Sequence, residues 1–281
     1  MRFRLIEANP EPAERFGYDE VAMRYADQRG VGVIVLYRMR RSAISISRLQ
    51  AYSDVLLTEW DGRTFDVIRR PSSGSSVVHN DAEGDFSYTV ALPLRKMPKT
   101  PSGIPDSQAF RIKYSCVPLR EALDSLGIET DILGHNNIIV RREGRKISSN
   151  AYAGNKDFHK AGMVHGYVAC NEGGRVLWDR LLGGGGDKVA FASEFGVSPG
   201  EVYKAVRDAF LDLGYSKKSG FTGEESRNME QLVREVYGSE EWTLNAKDPR
   251  GLWSVRRTKS FPPCPELRPR YSQDTAQENQ A

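Results

Sequence analysis

The sequence predicts an α+β fold. Apolar runs of strand length recur up to about residue 170, helical stretches with capping signals follow, and turn residues separate the two kinds of element.

Residues 2–7 alternate polar and apolar and read as an opening strand, which Pro10 and Pro12 end. Residues 13–26 read as a helix with a weak apolar stripe of Phe16, Val21, Met23 and Tyr25, closed by Gly30. Residues 31–37 are a buried-strand candidate and 43–47 a shorter one. The basic cluster 38–41 between them reads as a solvated hairpin end, with phosphate binding the lesser reading. A short helix is expected over 53–60, then strands over 64–68 and 86–92, then a loop with three prolines over 96–105. Residues 106–126 carry Phe110, Tyr114, Val117 and Leu126 near helical spacing, but Pro118 interrupts them, which predicts two helices or one kinked helix. Residues 138–140 and 146–153 flank a charged turn containing Gly144, a hairpin pattern, and 165–170 form a further strand. The glycine run 183–186 reads as a connector, because no lysine–serine pair follows it.

Two helices close the ordered part. Ser198 to Glu201, with Pro199 at the first helical position, and Thr222 to Glu225 are capping boxes. Val202, Val206, Phe210 and Leu213 follow the first; Met229, Leu232, Val233 and Val236 follow the second. The pattern fails after Trp242, and from about residue 262 the chain is proline-rich and then polar, which predicts a disordered tail.

The composition, 39% hydrophobic and 27% charged over 281 residues, is that of a globular protein. A net charge of +3 is too small to argue for nucleic acid, and no apolar run is long enough to span a bilayer. Cys116, Cys170 and Cys264 show no C-x-x-C spacing, which disfavours a zinc site or a disulfide framework and suits a cytoplasmic location. The N-terminus lacks the apolar core of a signal peptide.

The chemistry concentrates in residues 69–80, RRPSSGSSVVHN. Two arginines offer planar donor forks to a carboxylate or phosphate, and a loop of small residues lets backbone N–H groups approach an anion. The bland alternative is a surface turn beside a solvated basic pair.

Four separated motifs resemble the lipoate–protein ligase A family, within the biotin/lipoate ligase and octanoyltransferase superfamily. The opening RFRLIEA with DEVAM (19–23) resembles the family's start, and RRPSSGSSVVHN its adenylate loop. HNNIIV (135–140) with GRKISSNAY (144–152) resembles its asparagine strand and lysine hairpin. His165-Gly166 resembles its His-Gly strand, and YGSEEW (237–242) its close. The resemblance covers about residues 1–245 and implies a mixed sheet flanked by helices. It implies a catalytic domain over 1–246, whose helical C-terminal part is 198–242, and an extension over 247–281.

The activity implied is ATP-dependent ligation of lipoate to a lysine, through a lipoyl-AMP intermediate. The implied acceptors are lipoyl domains of 2-oxoacid dehydrogenase acyltransferase subunits or glycine cleavage H protein. Many ligases of this kind carry an accessory domain, and the C-terminal remainder is too poor in apolar residues to form it, so the resemblance implies either a separate accessory protein, the favoured reading, or a chain that works alone with a reorganised lid. By resemblance Lys146 is the cation between carboxylate and α-phosphate, although in isolation it reads as a solvated hairpin lysine. Arg70 contacts the nucleotide. Ser73, Gly74, Ser75, Ser76, Val77 and Val78 cradle the adenylate. His79, His165 and Gly166 lie near the acyl pocket, and Ser149 follows the lysine. Mg²⁺ is implied by the ATP chemistry, yet no carboxylate pair marks its ligands.

The chain departs from the family pattern at Ser73, Ser75 and Ser149, where glycines are usual, and at Asn80, where aspartate is usual. A serine forced to positive φ costs about 1–2 kcal/mol. Two other readings stand beside the ligase. An octanoyl or lipoyl transferase needs a cysteine nucleophile, and ILGHNNIIV has none where the family's transferases carry it. A catalytically weakened homologue would only bind lipoyl domains.

Overall fold

The computed structural model describes residues 1–155 and 159–253. The chain opens with β1 (Arg2–Ala8) and helix α1 (Pro12–Arg29), which begins at a Glu11–Glu14 capping box and ends at Gly30, φ 65°. Next come β2 (Gly32–Tyr37), β3 (Ala43–Ser47), β4 (Glu59–Trp60), β5 (Arg63–Thr64), β6 (Asp66–Arg70), β7 (Val77–His79) and β8 (Phe86–Pro93). Helices α2 (Ser107–Arg111) and α3 (Val117–Ser125) are joined by a π turn over Ile112–Cys116. They precede β9 (Thr130–Leu133), β10 (Asn137–Val140), β11 (Lys146–Asn155) and β12 (His159–Val168). Helices α4 (Gly174–Leu182) and α5 (Pro199–Leu211), strand β13 (Tyr215–Lys218), and helices α6 (Gly223–Leu232) and α7 (Glu240–Asn245) complete the order.

Eight strands form one mixed sheet in the order β13-β1-β2-β8-β12-β11-β10-β9. The β13, β1 and β2 strands are parallel and the other pairings antiparallel. Helices cover both faces. Ile34 and Leu36 of β2 pack with Phe110, Leu119, Leu123, Val206 and Phe210 on one side. Val33 and Val35 pack with Phe16, Met23, Met229 and Trp242 on the other. A strand buried on both faces reads as an unbroken apolar run, which is why 31–37 lacks alternation. A second sheet, β6-β3-β7, is covered by Leu177 and Leu181 of α4. No helix of the described residues is long and apolar enough to cross a membrane.

Several expectations change. Residues 53–60 are not a helix: a 3-10 turn at Tyr52–Asp54 leads to the β4–β5 hairpin. Its two-residue turn is Asp61-Gly62, with φ 51° and 70°, the positive values a type I′ turn requires. The 38–41 cluster is not a hairpin end, because β2 and β3 belong to different sheets. Arg38 lies over the Tyr203 ring at 4.0 Å, and the buried Met39 donates its N–H to Asp81 Oδ2. The interruption around Pro118 is as expected, two helices: Pro118 sits at the start of α3, and the widened π turn before it accommodates the missing donor. Strand β12 starts before residue 165 and ends at Val168, short of Cys170.

Packing continues past residue 246. Trp253 is buried and donates to Glu20 Oε2, and Arg250 makes a two-pronged contact with the same carboxylate at 2.7 and 3.0 Å. The tail expected from residue 262 lies outside the described residues.

Candidate functional site

A cavity of about 550 Å³ opens where β11 and β12 of the large sheet meet the small sheet and the start of α1. Among the described residues, five cationic side chains line it, Arg15, Arg48, Arg70, Arg111 and Lys146, and no Asp or Glu does.

The Ser/Gly loop forms one wall, and Arg70 holds it in shape. Its guanidinium donates to the Ser45 carbonyl (3.1 Å) and to the Ser75 carbonyl (2.5 Å). Gly74 has φ 117°, which favours glycine, and a Cβ there would press on Arg70 Nη2 at 3.0 Å. Ser73, Ser75 and Ser149 are not among the positive-φ residues, so serine carries no left-handed strain at these positions. Burial, with Arg15 and Arg69 nearby, lowers the Arg70 pKa to about 9, and the group stays charged at neutral pH.

Arg69 does not serve as a second anion fork. It is fully buried and donates to the carbonyls of Ser47, Gln50, Trp242 and Thr243 at 2.7–3.0 Å.

Beneath the loop lies a buried relay. Asp19 Oδ2 faces His165 Nδ1 at 2.7 Å, and His165 Nε2 faces Ser72 Oγ at 2.6 Å. Asp19 also accepts from Tyr37 and Thr89. Burial pushes Asp19 up, but the His165 hydrogen bond and the Arg15 charge leave it below its ordinary value. Burial keeps His165 neutral, with a lowered pKa. An ionised Asp19 therefore accepts a hydrogen bond from His165 Nδ1–H, and Nε2 accepts from the Ser72 hydroxyl. A serine, histidine and aspartate in this order have nucleophile logic. Ser72, however, is 1% exposed and is not on the cavity wall, so the relay anchors the foot of the loop. His79, also neutral through burial, bonds Ser45 Oγ at 2.9 Å.

The hairpin forms the opposite wall. Lys146 opens β11, where its carbonyl accepts from Ala190 N–H, and its ammonium has no hydrogen bond or ion pair among the described residues. Arg111 donates to Asn150 Oδ1 and to the Asn150 carbonyl, both at 2.8 Å, which joins α2 to β11.

The structure thus brings Arg70, Ser73, Gly74, Ser75, Val77, His79, Lys146, Ser149, His165 and Gly166 to one cavity. It does not bring Ser76 or Val78 there. Ser76 Oγ accepts from Gln50, and Val78 points into the small-sheet core. The sequence reading missed Arg15, Arg48, Arg111 and His135, which also line the cavity. Arg15 sits on the buried side of α1, and a charged residue on a face that otherwise packs was the available signal. Among the described residues the cavity offers no carboxylate to a divalent cation, and no three His, Cys, Asp or Glu side chains converge. These residues do not fit a protein-held Mg²⁺.

Comparison with known proteins follows this geometry. The family profile described as the lipoyl protein ligase A/B catalytic domain matches residues 11–182, more than half of the chain. A 143-residue stretch is 26% identical to lipoate-protein ligase LplJ of Bacillus subtilis (strain 168), covering 50% of this chain and 38% of that relative. The match thus spans well under two thirds of the relative's length. Among solved structures, a lipoate-protein ligase A bound with ATP superposes with a TM-score of 0.71 at 19% identity, covering 90% of this chain and 100% of that one. A bi-partite lipoate protein ligase from Thermoplasma acidophilum, described with its E2 lipoyl domain, gives 0.68 at 18% identity, covering 91% and 97%. A T. acidophilum protein with bound lipoic acid gives 0.72 at 19%, covering 87% and 99%. At such identities the structures share the fold, the mixed sheet flanked by helices expected from the sequence. The family profile, over more than half of the sequence, shows that the chain belongs to the lipoyl protein ligase A/B catalytic domain family.

Proposed function

We propose that the chain is an ATP-dependent lipoate–protein ligase. A carboxylate oxygen of lipoate attacks the α-phosphorus of ATP and pyrophosphate leaves. The ε-amino nitrogen of an acceptor lysine then attacks the acyl carbonyl of lipoyl-AMP, and AMP leaves. The observation that carries this reading is the cavity with five cations and no carboxylate, bounded by a loop of small residues. Joining two anions requires such neutralisation, and a fixed cation does it without reorganisation. Lys146, whose ammonium has no hydrogen bond or ion pair among the described residues, is assigned between carboxylate and α-phosphate. Arg70 shapes the loop over residues 73–75, whose backbone takes the nucleotide. His79, His165 and Gly166 border the acyl end.

The acceptor is a lipoyl domain of a 2-oxoacid dehydrogenase acyltransferase subunit or glycine cleavage H protein, in the cytoplasm. The bi-partite relative supports a separate accessory chain. Neither described cysteine lines the cavity, and burial raises the pKa of both thiols, which argues against a thioester transferase. Mass spectrometry of a lipoyl domain incubated with this protein, ATP, Mg²⁺ and lipoate or octanoate tests the reading. An ATP-dependent mass gain on one lysine supports it, and acyl transfer from acyl carrier protein without ATP rejects it. Rapid multiple turnover without added protein rejects the accessory chain.

A further inference from the structure

Arg15 has no role in the reading above, yet its environment calls for a ligand. The residue is 2% exposed and lines the cavity. Nη1 reaches His79 Nε2 only at 3.5 Å, Nη2 reaches the Gly166 carbonyl only at 3.4 Å, and Nε has no partner. Its remaining contacts are the rings of Phe16 (4.9 Å) and Tyr37 (5.9 Å). Two carboxylates reach it by charge alone: Asp19, which is committed to His165, Tyr37 and Thr89, and Asp81, whose carboxyl accepts from the Met39 N–H and is raised by burial to about 8. Among the described residues no carboxylate forms an ion pair with Arg15. A buried guanidinium held by two long contacts is a large desolvation cost without return in the protein itself. Arg48, on the same cavity, also has a buried Nε without a partner. His79 Nε2 bonds Ser45 Oγ, which accepts from Arg70 at 3.2 Å, so Arg15 stands next to the group that shapes the loop.

We propose that Arg15 is an oxyanion-binding residue: its donor fork takes a carboxylate or phosphate oxygen of the bound ligand beside the loop over residues 73–75. This rests on the acyl-activation reading of the cavity, and the oxygen belongs either to the acid being activated or to the nucleotide.

Calorimetric titrations of the wild type, Arg15→Met and Arg15→Lys separate the sources. The probes are octanoate against octanol, and α,β-methylene-ATP against adenosine. Arg15→Met loses about ten- to a hundredfold in affinity for one anionic probe, the size of a lost charge-assisted contact, and keeps its affinity for the neutral counterpart. Loss on octanoate assigns the carboxylate, and loss on the ATP analogue assigns the phosphate. Arg15→Lys recovers part of the loss. The ligand-free melting temperature of Arg15→Met holds or rises, because an unpaired buried charge is gone. Unchanged binding of both anions by Arg15→Met overturns the proposal. So does failure of both variants to fold, which makes Arg15 structural. If the wild type binds neither octanoate nor the ATP analogue, the acyl-activation reading fails. Inorganic pyrophosphate then decides Arg15 by itself, and equal binding by wild type and Arg15→Met overturns its role.

Discussion

Replacing Lys146 by alanine separates chemistry from folding in this site. The backbone of Lys146 is tied by the Ala190 N–H bond, by the bridge to Val189 and by pairing with Ile139, none of which involves the side chain. The half-buried ammonium has no partner to leave unsatisfied. The stability change is therefore expected within about 0.5 kcal/mol, as for substitutions away from packed or bonded features. The chemical step behaves differently. Attack of a carboxylate on a phosphate concentrates negative charge between the two, and losing one preorganised donor there costs about 10²–10³ in rate, about 2.7–4 kcal/mol. Arg48, Arg70 and Arg111 remain in the cavity as cations, so under the proposed reading the loss falls on turnover more than on ATP affinity. Lipoate-dependent ATP–pyrophosphate exchange with chemical denaturation of the same preparations reads both quantities. Exchange reduced less than about tenfold refutes the assignment, since that is below the range for an electrostatic contact of this kind. A large loss of stability shows that the lysine is structural.

Three further outcomes follow from the geometry. Gly74→Ala meets Arg70 Nη2 at 3.0 Å and keeps φ near 117°, so the loop rebuilds at a cost of about 1–2 kcal/mol and ATP binding weakens; unchanged ATP affinity in titration refutes the loop's role. Cys170→Ser retains acyl transfer, because burial holds its thiol well above the ordinary value and no nucleophile is lost; a trapped thioester at Cys170, seen by mass spectrometry, instead establishes a transferase. Burial raises the Asp81 carboxyl to about 8, so the folded state keeps a proton that the unfolded chain, at about 3.9, has released. That stability is fully present below the unfolded value and is lost as pH rises through 8, by about 1.4 kcal/mol per unit between pH 6.5 and the folded value. Urea denaturation at pH 6.5 and 8 shows this decline in the wild type and a flatter response in Asp81→Asn; equal responses refute it.

The sequence made the parts with local signals legible. The capping boxes at Ser198 and Thr222 start α5 and α6, and both are formed in the structure. The hairpin around Gly144 and the buried strand at 31–37 also match. What stayed hidden depended on partners distant in the chain. β13 is a polar four-residue strand that exists through pairing with β1. β9 is equally short and pairs only with β10 among the described residues. α4 is amphipathic over nine residues, and its apolar side is explained only by the small sheet it covers. Asp61-Gly62 is a local signal as well, the Asp-Gly pair of a type I′ turn, and it marks the β4–β5 hairpin rather than a helix over 53–60. In the site, the motif residues gathered as a group, whereas Arg15, a charged residue on the packing side of α1, and Arg111, the last residue of the short α2, lie outside every motif.

The two adjacent arginines show why a motif alone misassigns its members. Successive strand residues point to opposite faces, so Arg69 and Arg70 cannot serve one ligand equally. Arg70 faces the cavity and fixes the loop, while Arg69 faces the protein and gathers carbonyls from α7. Trp242 returns the contact by donating its indole N–H to the Arg69 carbonyl at 2.7 Å. The following residues reach the other wall: Arg250 and Trp253 bind Glu20, the neighbour of Asp19 on α1, the helix that also carries Arg15. Residues 240–253 lie beyond the stretch that the family profile matches, yet they brace both the loop and the helix that border the cavity. The site is therefore held by a segment that contributes no residue to its lining, and its precision depends on that segment staying docked.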